Sequence, residues 1–215
     1  MEIKVMKNVL DRNRDMAARV RDILSARGIR MINMISSPGA GKTSLLEVIC
    51  EKLSGEIRMA VIEGDVATDR DAQRLKKYDI PIVLINTGGG CHLDSNSIDI
   101  ALREFDLHSL DVIFVENVGN LVCPAHFDLG ENFKLALVST TEGDDKPIKY
   151  PMLFREAGAV VLNKTDLMDC SGFNRQTFIS DLDNVNSQVP LFELSCRTGE
   201  GTDAFMEWLK LSISK

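Results

Sequence analysis

The segment from Ser36 to Thr43 has the residue types and spacing of a loop that binds the phosphate groups of a nucleotide. It lies between the apolar run 29–35, which predicts a buried strand, and residues 44–53, which predict an amphipathic helix. Backbone N–H groups that curl around an anion, together with a helix N-terminus, attract a triphosphate. The residues expected to contact it are Gly39, Ala40, Gly41, Lys42, Thr43 and Ser44.

Lys42 and Thr43 have the roles that such a motif gives to these residue types. Lys42 is expected to reach the β- and γ-phosphates, and the Thr43 hydroxyl is expected to hold Mg²⁺. The general pattern has glycine where this chain has Ser36, so the turn closes only if Ser36 has a negative φ. An ordinary serine-rich turn between a strand and a helix is the alternative interpretation of this segment.

Acidic residues after two other predicted strands are candidates for Mg²⁺ binding and catalysis. Glu116 ends an apolar run and is the expected second anchor for Mg²⁺, and the N–H of Gly119 is expected to sense the γ-phosphate. Asp65 lies at the tip of another strand and is expected to orient water or Mg²⁺, whereas Asp69 fits that role and a helix cap equally well. We therefore predict that Lys42, Asp65, Glu116 and Gly119 are catalytic.

The run Asn163-Lys164-Thr165-Asp166 predicts recognition of guanine, because it lies about 120 residues after the phosphate-binding segment. The Asp166 carboxylate can accept from both N1–H and the 2-amino group of guanine, and adenine offers no such pair of donors. A buried carboxylate left unpaired is costly, so ATP would be rejected. Asn163 is expected to tie this loop to the phosphate-binding loop, and the Lys164 stem to cover the base. A chance turn is the alternative.

Ser195-Cys196-Arg197 follow the last predicted strand and complete the expected base-binding residues. In GTPases this position supplies a backbone N–H to the O6 atom of guanine. Cys196 is then a small residue beside the base and not a metal ligand.

A second group of residues has the chemistry of a transition-metal site. Cys91 and His92 follow one predicted strand, directly after the glycines 88–90, and Cys123 follows the next strand. Thiolate and imidazole ligands suit Zn²⁺ or Ni²⁺. Three ligands do not close a tetrahedral site, so a second subunit, water or a substrate must complete it, and His126 is a candidate to assist. Two core cysteines and an exposed histidine are the alternative interpretation.

The order of apolar and amphipathic segments predicts the fold that positions these residues. The other strand-like runs are 59–62, 82–85, 112–115, 135–138, 159–162 and 191–194, and the helix-like stretches are 68–78, 95–105, 150–157, 174–186 and 202–213. This order predicts an α/β, three-layer P-loop NTPase, with a mostly parallel sheet of about seven strands covered by helices on both faces. The carboxyl ends of the strands then share one edge, where ligands bind. The connection 118–131 is predicted to be a long loop.

The remaining features limit the class of protein. Residues 4–27 predict a helix packed on the sheet, with a partner-binding helix as the alternative, and the length of 215 residues predicts a single domain over 1–215. The net charge of −7 argues against nucleic acid as a partner, and no apolar run approaches the roughly 20 residues of a membrane span. The N-terminus lacks a secretory signal, so a cytoplasmic location is expected. Of the five scattered cysteines, Cys50 and Cys170 are interpreted as structural.

Five segments of the chain resemble the hydrogenase maturation nickel-insertion GTPases (HypB). They are 36–43, 63–65, 90–93, 116–124 and 163–166, and the run Glu-Asn-Val-Gly-Asn-Leu-Val-Cys-Pro at 116–124 is far more specific than a phosphate-binding loop. The resemblance covers roughly residues 5–213. It implies a GTPase that dimerises with GTP and a Ni²⁺ or Zn²⁺ site at the dimer interface, formed by Cys91, His92 and Cys123.

The same resemblance implies two protein partners, a small zinc-containing metallochaperone (HypA) and the precursor of the hydrogenase large subunit. Some members carry an N-terminal Cys-rich nickel site or a His-rich tract. Here the first cysteine is Cys50 and there are three histidines, so the form without such a segment is expected. GTP and Mg²⁺ are expected to order the loops 64–69 and 116–123, and hydrolysis to move Cys123 and release or transfer the metal. No arginine finger can be identified, so slow hydrolysis is expected.

Three other functions fit parts of the sequence. The urease nickel-insertion GTPases (UreG) are similar, but their metal motif is a contiguous Cys-Pro-His, and here Ala125 separates Pro124 from His126. A metal-dependent dimerisation module that binds nucleotide without hydrolysing it is the second. A P-loop kinase is the third, and it is disfavoured because Asp166 selects guanine and no phosphoacceptor lid is evident.

Overall fold

The computed structural model of the chain describes residues 9–65 and 70–214, and for residues 9, 65 and 70–72 it describes the backbone alone. Parts of two predicted helices, residues 4–8 and 68–69, therefore lie outside the described residues, and Asp69 is among them. The side chain of Asp65 lies outside them as well.

In the described part of the chain, seven parallel strands form one sheet. They are β1 (Arg30–Ser36), β2 (Met59–Asp65), β3 (Ile82–Asn86), β4 (Val112–Glu116), β5 (Phe133–Ser139), β6 (Ala157–Asn163) and β7 (Leu191–Glu193). Their order across the sheet is β3-β2-β4-β1-β5-β6-β7, so β1 lies at the centre with the phosphate-binding segment at its carboxyl end. The α/β fold with a parallel sheet, predicted from the apolar runs, is confirmed.

Helices cover both faces of the sheet. They are α1 (Val9–Ser25), α2 (Lys42–Leu53), α3 (Arg70–Leu75), α4 (Ser95–Leu102), α5 (Cys123–His126), α6 (Lys146–Lys149), α7 (Pro151–Glu156), α8 (Met168–Ser171), α9 (Arg175–Asn186) and α10 (Thr202–Ile213). In the part of the chain that the structure describes, no helix combines the length and the apolar character needed to cross a bilayer.

Alternate side chains of each strand pack into separate clusters on the two faces of the sheet. In β4, Val112 and Phe114 join the cluster under α2 and α10, whereas Ile113 and Val115 join the cluster under α1 and α4. A third cluster packs α7 and α9 against β5 and β6. Burial of each large apolar side chain contributes about 1.5–3 kcal/mol. Packing on both faces therefore fixes the strand ends from which the functional loops leave.

Two segments differ in the structure from their predicted form, one a predicted loop and the other a predicted helix. The segment 118–131, predicted as a loop, contains α5, which has Pro124 in its first turn, where proline is well tolerated. A helix of one turn shows no hydrophobic period, so the sequence pattern could not reveal it. The helix predicted over 68–78 is interrupted, because α3 ends at Leu75 and a 3₁₀ turn follows over Lys76–Tyr78.

Candidate nucleotide and metal sites

The phosphate-binding segment forms a tight turn between β1 and α2. Gly41 precedes the first residue of α2 with a φ of 106°, a conformation that residues with a side chain rarely adopt. A Cβ atom at this position would lie 2.4 Å from Nδ2 of Asn163. Gly41 is thus required both by its backbone conformation and by the close approach of the base-binding loop.

The side chain of Ser36 forms hydrogen bonds within this turn. It is fully buried, it is not among the described residues with positive φ, and its hydroxyl accepts from Nζ of Lys42 at 3.0 Å. The same hydroxyl donates to the carbonyl oxygen of Ser37 at 2.7 Å. The departure from glycine is therefore accommodated, and it gives the buried Lys42 ammonium a polar contact.

The predicted Mg²⁺ ligands Thr43 and Glu116 meet at the carboxyl ends of β1 and β4. The Thr43 hydroxyl donates to Oε1 of Glu116 at 2.9 Å, and both side chains are buried. They line a cavity of about 470 Å³ together with Gly41, Lys42 and Gly119. A hydroxyl and carboxylates at the rim of a phosphate cavity are oxygen ligands of the kind that Mg²⁺ prefers, so this donor set fits the ion.

Glu63 and Arg74 also line this cavity, although no motif of the sequence predicts a role for either residue. Glu63 is buried and lies beside Glu116 in the register of β2 and β4. Arg74 donates to the Ser44 hydroxyl at 3.1 Å and forms an ion pair with Glu47. The sequence contained one sign that Glu63 has a function, because an acidic residue is unusual within an otherwise apolar strand. Nothing in the sequence distinguished Arg74 from other arginines of a predicted helix.

The loop after β4 packs directly against the phosphate-binding segment. A Cβ atom at Gly119 would lie 2.9–3.0 Å from atoms of Pro38, so a larger residue at this position would push the two loops apart. The backbone of Asp65, the other predicted catalytic residue, ends β2 opposite Asn86 of β3. The roles of these residues remain predictions.

Three residues of the predicted base-binding motif, Asn163, Lys164 and Asp166, line a second cavity of about 610 Å³ together with the segment Ser195–Arg197. Asn163 donates from Nδ2 to the carbonyl oxygen of Ala40 at 2.9 Å, and Lys164 donates from Nζ to the carbonyl oxygen of Gly39 at 2.8 Å. Lys164 has a φ of 61°, which turns the chain sharply at the end of β6. The base-binding and phosphate-binding loops are thus joined by two hydrogen bonds.

Asp166 is held by the segment Ser195–Arg197. The Ser195 hydroxyl donates to Oδ1 of Asp166 at 2.5 Å, and the Arg197 guanidinium lies 2.9 Å from Oδ2. The Ser195 hydrogen bond, helped by the Arg197 charge, holds the pKa of Asp166 below its ordinary value of 3.8. The Cys196 N–H donates to Oδ1 of Asn163 at 3.1 Å, and burial raises the pKa of the Cys196 thiol to about 12.

The predicted metal ligands converge at the same edge of the sheet. The ligand atoms of Cys91, His92 and Cys123 all lie within 4.8 Å of one another, and this is the one such group among the described residues. The His92 ring packs against the Phe127 ring, with ring centroids 3.8 Å apart and an angle of 31° between the ring planes. His126, the candidate to assist, is not part of the group.

The electrostatics of this group leave the imidazole neutral and able to bind a cation, whereas the thiols must lose their protons when a metal binds. The contact with Cys123 raises the pKa of Cys91 above its ordinary value of 9.0, and burial lowers the pKa of His92 below 6.5. A neutral imidazole and two neighbouring thiols form a set that suits Zn²⁺ or Ni²⁺. Cys50 and Cys170, which were predicted not to bind metal, lie outside this group. Cys50 is buried in the core, and Cys170 is exposed and donates to the Leu167 carbonyl oxygen.

Comparison with known proteins adds a consistent set of similarities. The nucleotide-binding domain of CobW/HypB/UreG matches residues 30–193. The hydrogenase maturation factor HypB of Azotobacter vinelandii is 43% identical over 208 residues, which are 97% of this chain and 69% of that protein. The crystal structure of HypB from Archaeoglobus fulgidus superposes with a TM-score of 0.89 at 34% identity, covering 95% of this chain and 100% of the other. HypB from Helicobacter pylori in complex with nickel gives a TM-score of 0.87 at 34% identity, covering 94% and 95%.

Proposed function

The chain belongs to the CobW/HypB/UreG family and, within it, to the HypB hydrogenase maturation factors, and from this premise we propose that it is a GTP-hydrolysing metallochaperone. It binds nickel or zinc and delivers nickel during the maturation of [NiFe]-hydrogenase. One observation carries the proposal: the Cys91, His92 and Cys123 ligand atoms converge at the sheet edge that also holds the phosphate and base cavities.

The nucleotide part of the proposal assigns GTP hydrolysis to the residues around the two cavities. Asp166 accepts from the guanine edge, and the Lys42 ammonium neutralises the β- and γ-phosphates. Thr43, Glu116 and Asp65 hold Mg²⁺, which when bound stabilises the charge that develops on the transferred phosphoryl group. Gly119 presents its N–H to the γ-phosphate, and so the loop after β4 responds to hydrolysis.

The metal part of the proposal is that a second copy of the chain completes the site. Cys91, His92 and Cys123 supply three ligands, Cys91 is exposed, and a closed tetrahedral site needs a fourth ligand. A nucleotide-dependent homodimer would bring two such groups together. Because Cys123 lies seven residues after Glu116, movement of this loop on hydrolysis would alter the metal ligands and release the cargo.

The partners follow from the same proposal. They are a HypA-type zinc metallochaperone and the hydrogenase large subunit precursor, in the cytoplasm. Residues 1–215 would act as one GTPase domain with its N-terminal helix packed on it. In support, Val20 and Leu24 of α1 are buried against Ile98 and Leu102 of α4.

Phosphate release with GTP and with ATP tests the enzymatic part. We expect release from GTP alone in the wild type and none in Lys42→Ala, whereas Lys52→Ala, on the exposed side of the same helix, should match the wild type. Light scattering with GTP analogue and nickel should show a dimer that Cys91→Ala fails to form. A nickel-dependent dimer without phosphate release would instead identify a dimerisation module.

A further inference from the structure

The side chain of Asn117 joins the loop of the nucleotide site to the loop of the metal site. It is 1% exposed, and its Oδ1 accepts from the backbone N–H of Val118 at 3.0 Å and from that of Leu93 at 3.1 Å. Val118 directly precedes Gly119, and Leu93 directly follows His92. A single buried oxygen is therefore hydrogen-bonded to both loops.

The other end of the same carboxamide is fixed to the centre of the sheet. Its Nδ2 donates to Oδ1 of the fully buried Asn33 on β1 at 3.1 Å. Asn33 in turn donates to Oε1 of Glu131 at 3.3 Å, and Oε2 of Glu131 accepts from the Leu129 N–H at 2.6 Å. The Nδ2 end of the side chain thus belongs to a buried network with β1, whereas its oxygen is bonded, among the described residues, only to the two loops.

The backbone of residues 116–119 is held firmly against the phosphate-binding segment and β1. The Asn117 N–H donates to the Met34 carbonyl oxygen at 3.1 Å, and the neighbouring Glu116 accepts from Thr43. Gly119 lies against Pro38 of the phosphate-binding segment. A ligand that shifts residues 118 and 119 must therefore change the bond from Val118 to Oδ1 of Asn117.

We propose that Asn117 is the positioning residue that couples occupancy of the nucleotide site to the geometry of the metal ligands. The inference rests on the proposed function. When the Val118 N–H moves, the second hydrogen bond at the same oxygen is strengthened or weakened, and Leu93 shifts together with His92. Asn117 is not one of the three grouped metal ligands, and both polar atoms of its side chain are hydrogen-bonded within the protein.

The test is a nickel titration of the full chain, with a competing chromophoric chelator, in the GDP form and in the form with a non-hydrolysable GTP analogue. The ratio of the two dissociation constants measures the coupling, which typically spans 5- to 150-fold between linked sites. In Asn117→Ala we expect this ratio to fall to within about two-fold of one.

Asn33→Ala is the matched control, because it opens the same buried network and leaves both bonds at Oδ1 of Asn117 in place. We expect it to lower the melting temperature but to keep the wild-type ratio. Equal loss of coupling in Asn33→Ala and Asn117→Ala would overturn the inference, and so would a wild-type ratio in Asn117→Ala. A ratio of one in the wild-type protein would overturn the proposed function, and the inference with it. If Asn117→Ala does not fold, Asn117→Ser is measured in the same way and decides by the same criteria.

Discussion

The Ser195 hydroxyl donates to the Asp166 carboxylate at 2.5 Å, and this contact organises the base cavity before any nucleotide arrives. The two residues come from separate motifs that follow β6 and β7. The hydrogen bond favours the ionised carboxylate and fixes its orientation at the wall of the cavity, where a carboxylate can accept further hydrogen bonds. Recognition of the base and its selectivity are therefore expected to depend on this pair.

Asp166→Asn should change the base that the protein prefers. Loss of two charge-assisted hydrogen bonds to guanine is expected to cost about 3 kcal/mol or more, which is roughly a 100-fold loss of GDP affinity. An asparagine can donate to the 2-oxo group of xanthine and accept from its N1–H, so affinity for XDP should rise. Titration calorimetry with both nucleotides measures the change. The exposed Asp169→Asn on α8 is the control, and an unchanged preference in Asp166→Asn would contradict the assignment.

The pH dependence of GDP affinity should reflect the lowered pKa of Asp166. A carboxyl group whose folded-state pKa is depressed stays ionised as pH falls below 3.8, so its contribution is complete above that value and is lost only as pH falls through the lowered pKa. Ser195→Ala removes the main cause of the shift, and the acid limb of the affinity profile should therefore move to higher pH. Fluorescence titrations with a labelled GDP, from pH 7 down to the pH at which the protein unfolds, measure the affinity of the wild type and of Ser195→Ala. An acid limb that stays in place would show that Ser195 does not control this pKa.

The sequence predicted the sheet and the loops that carry the site better than it predicted the residues inside the cavities. Buried parallel strands are continuous apolar runs, and the motifs follow directly from their carboxyl ends, so both were visible in the pattern. Glu63 was missed because an acidic residue within a strand shows its cavity-facing position only when β2 lies beside β4. His126 was considered as an assisting metal ligand because it lies three residues after Cys123, and spacing alone does not reveal that Phe127 is the residue that contacts His92.

Cys91→Ala and Cys123→Ala should abolish tight nickel binding with little effect on folding. Each change removes one of three convergent ligands, and we expect a loss of at least about 100-fold in affinity. Because Cys91 is exposed, the free energy of unfolding should change by no more than about 0.5 kcal/mol. Nickel–thiolate absorption and thermal melting measure the two effects. Cys170→Ala should bind nickel normally, and normal binding by Cys91→Ala would exclude this group as the site.

Glu63→Gln should weaken the dependence of GTP hydrolysis on Mg²⁺ without altering the fold. Glu63 lies beside Glu116 in the register of adjacent strands, and both line the cavity that contains Lys42 and Thr43. Two neighbouring buried carboxylates favour a divalent cation between them and the phosphates, so neutralising one should reduce the affinity for Mg²⁺. A partner of a metal site typically contributes 10- to 100-fold, and we expect the Mg²⁺ concentration for half-maximal phosphate release to rise by about that factor. Glu104→Gln, at an exposed position, should leave this Mg²⁺ concentration unchanged. Glu116→Gln should raise it more than Glu63→Gln does, because Glu116 also accepts from the Thr43 hydroxyl. If Glu63→Gln hydrolyses GTP with the wild-type Mg²⁺ dependence, Glu63 is a buried strand residue with no part in the site.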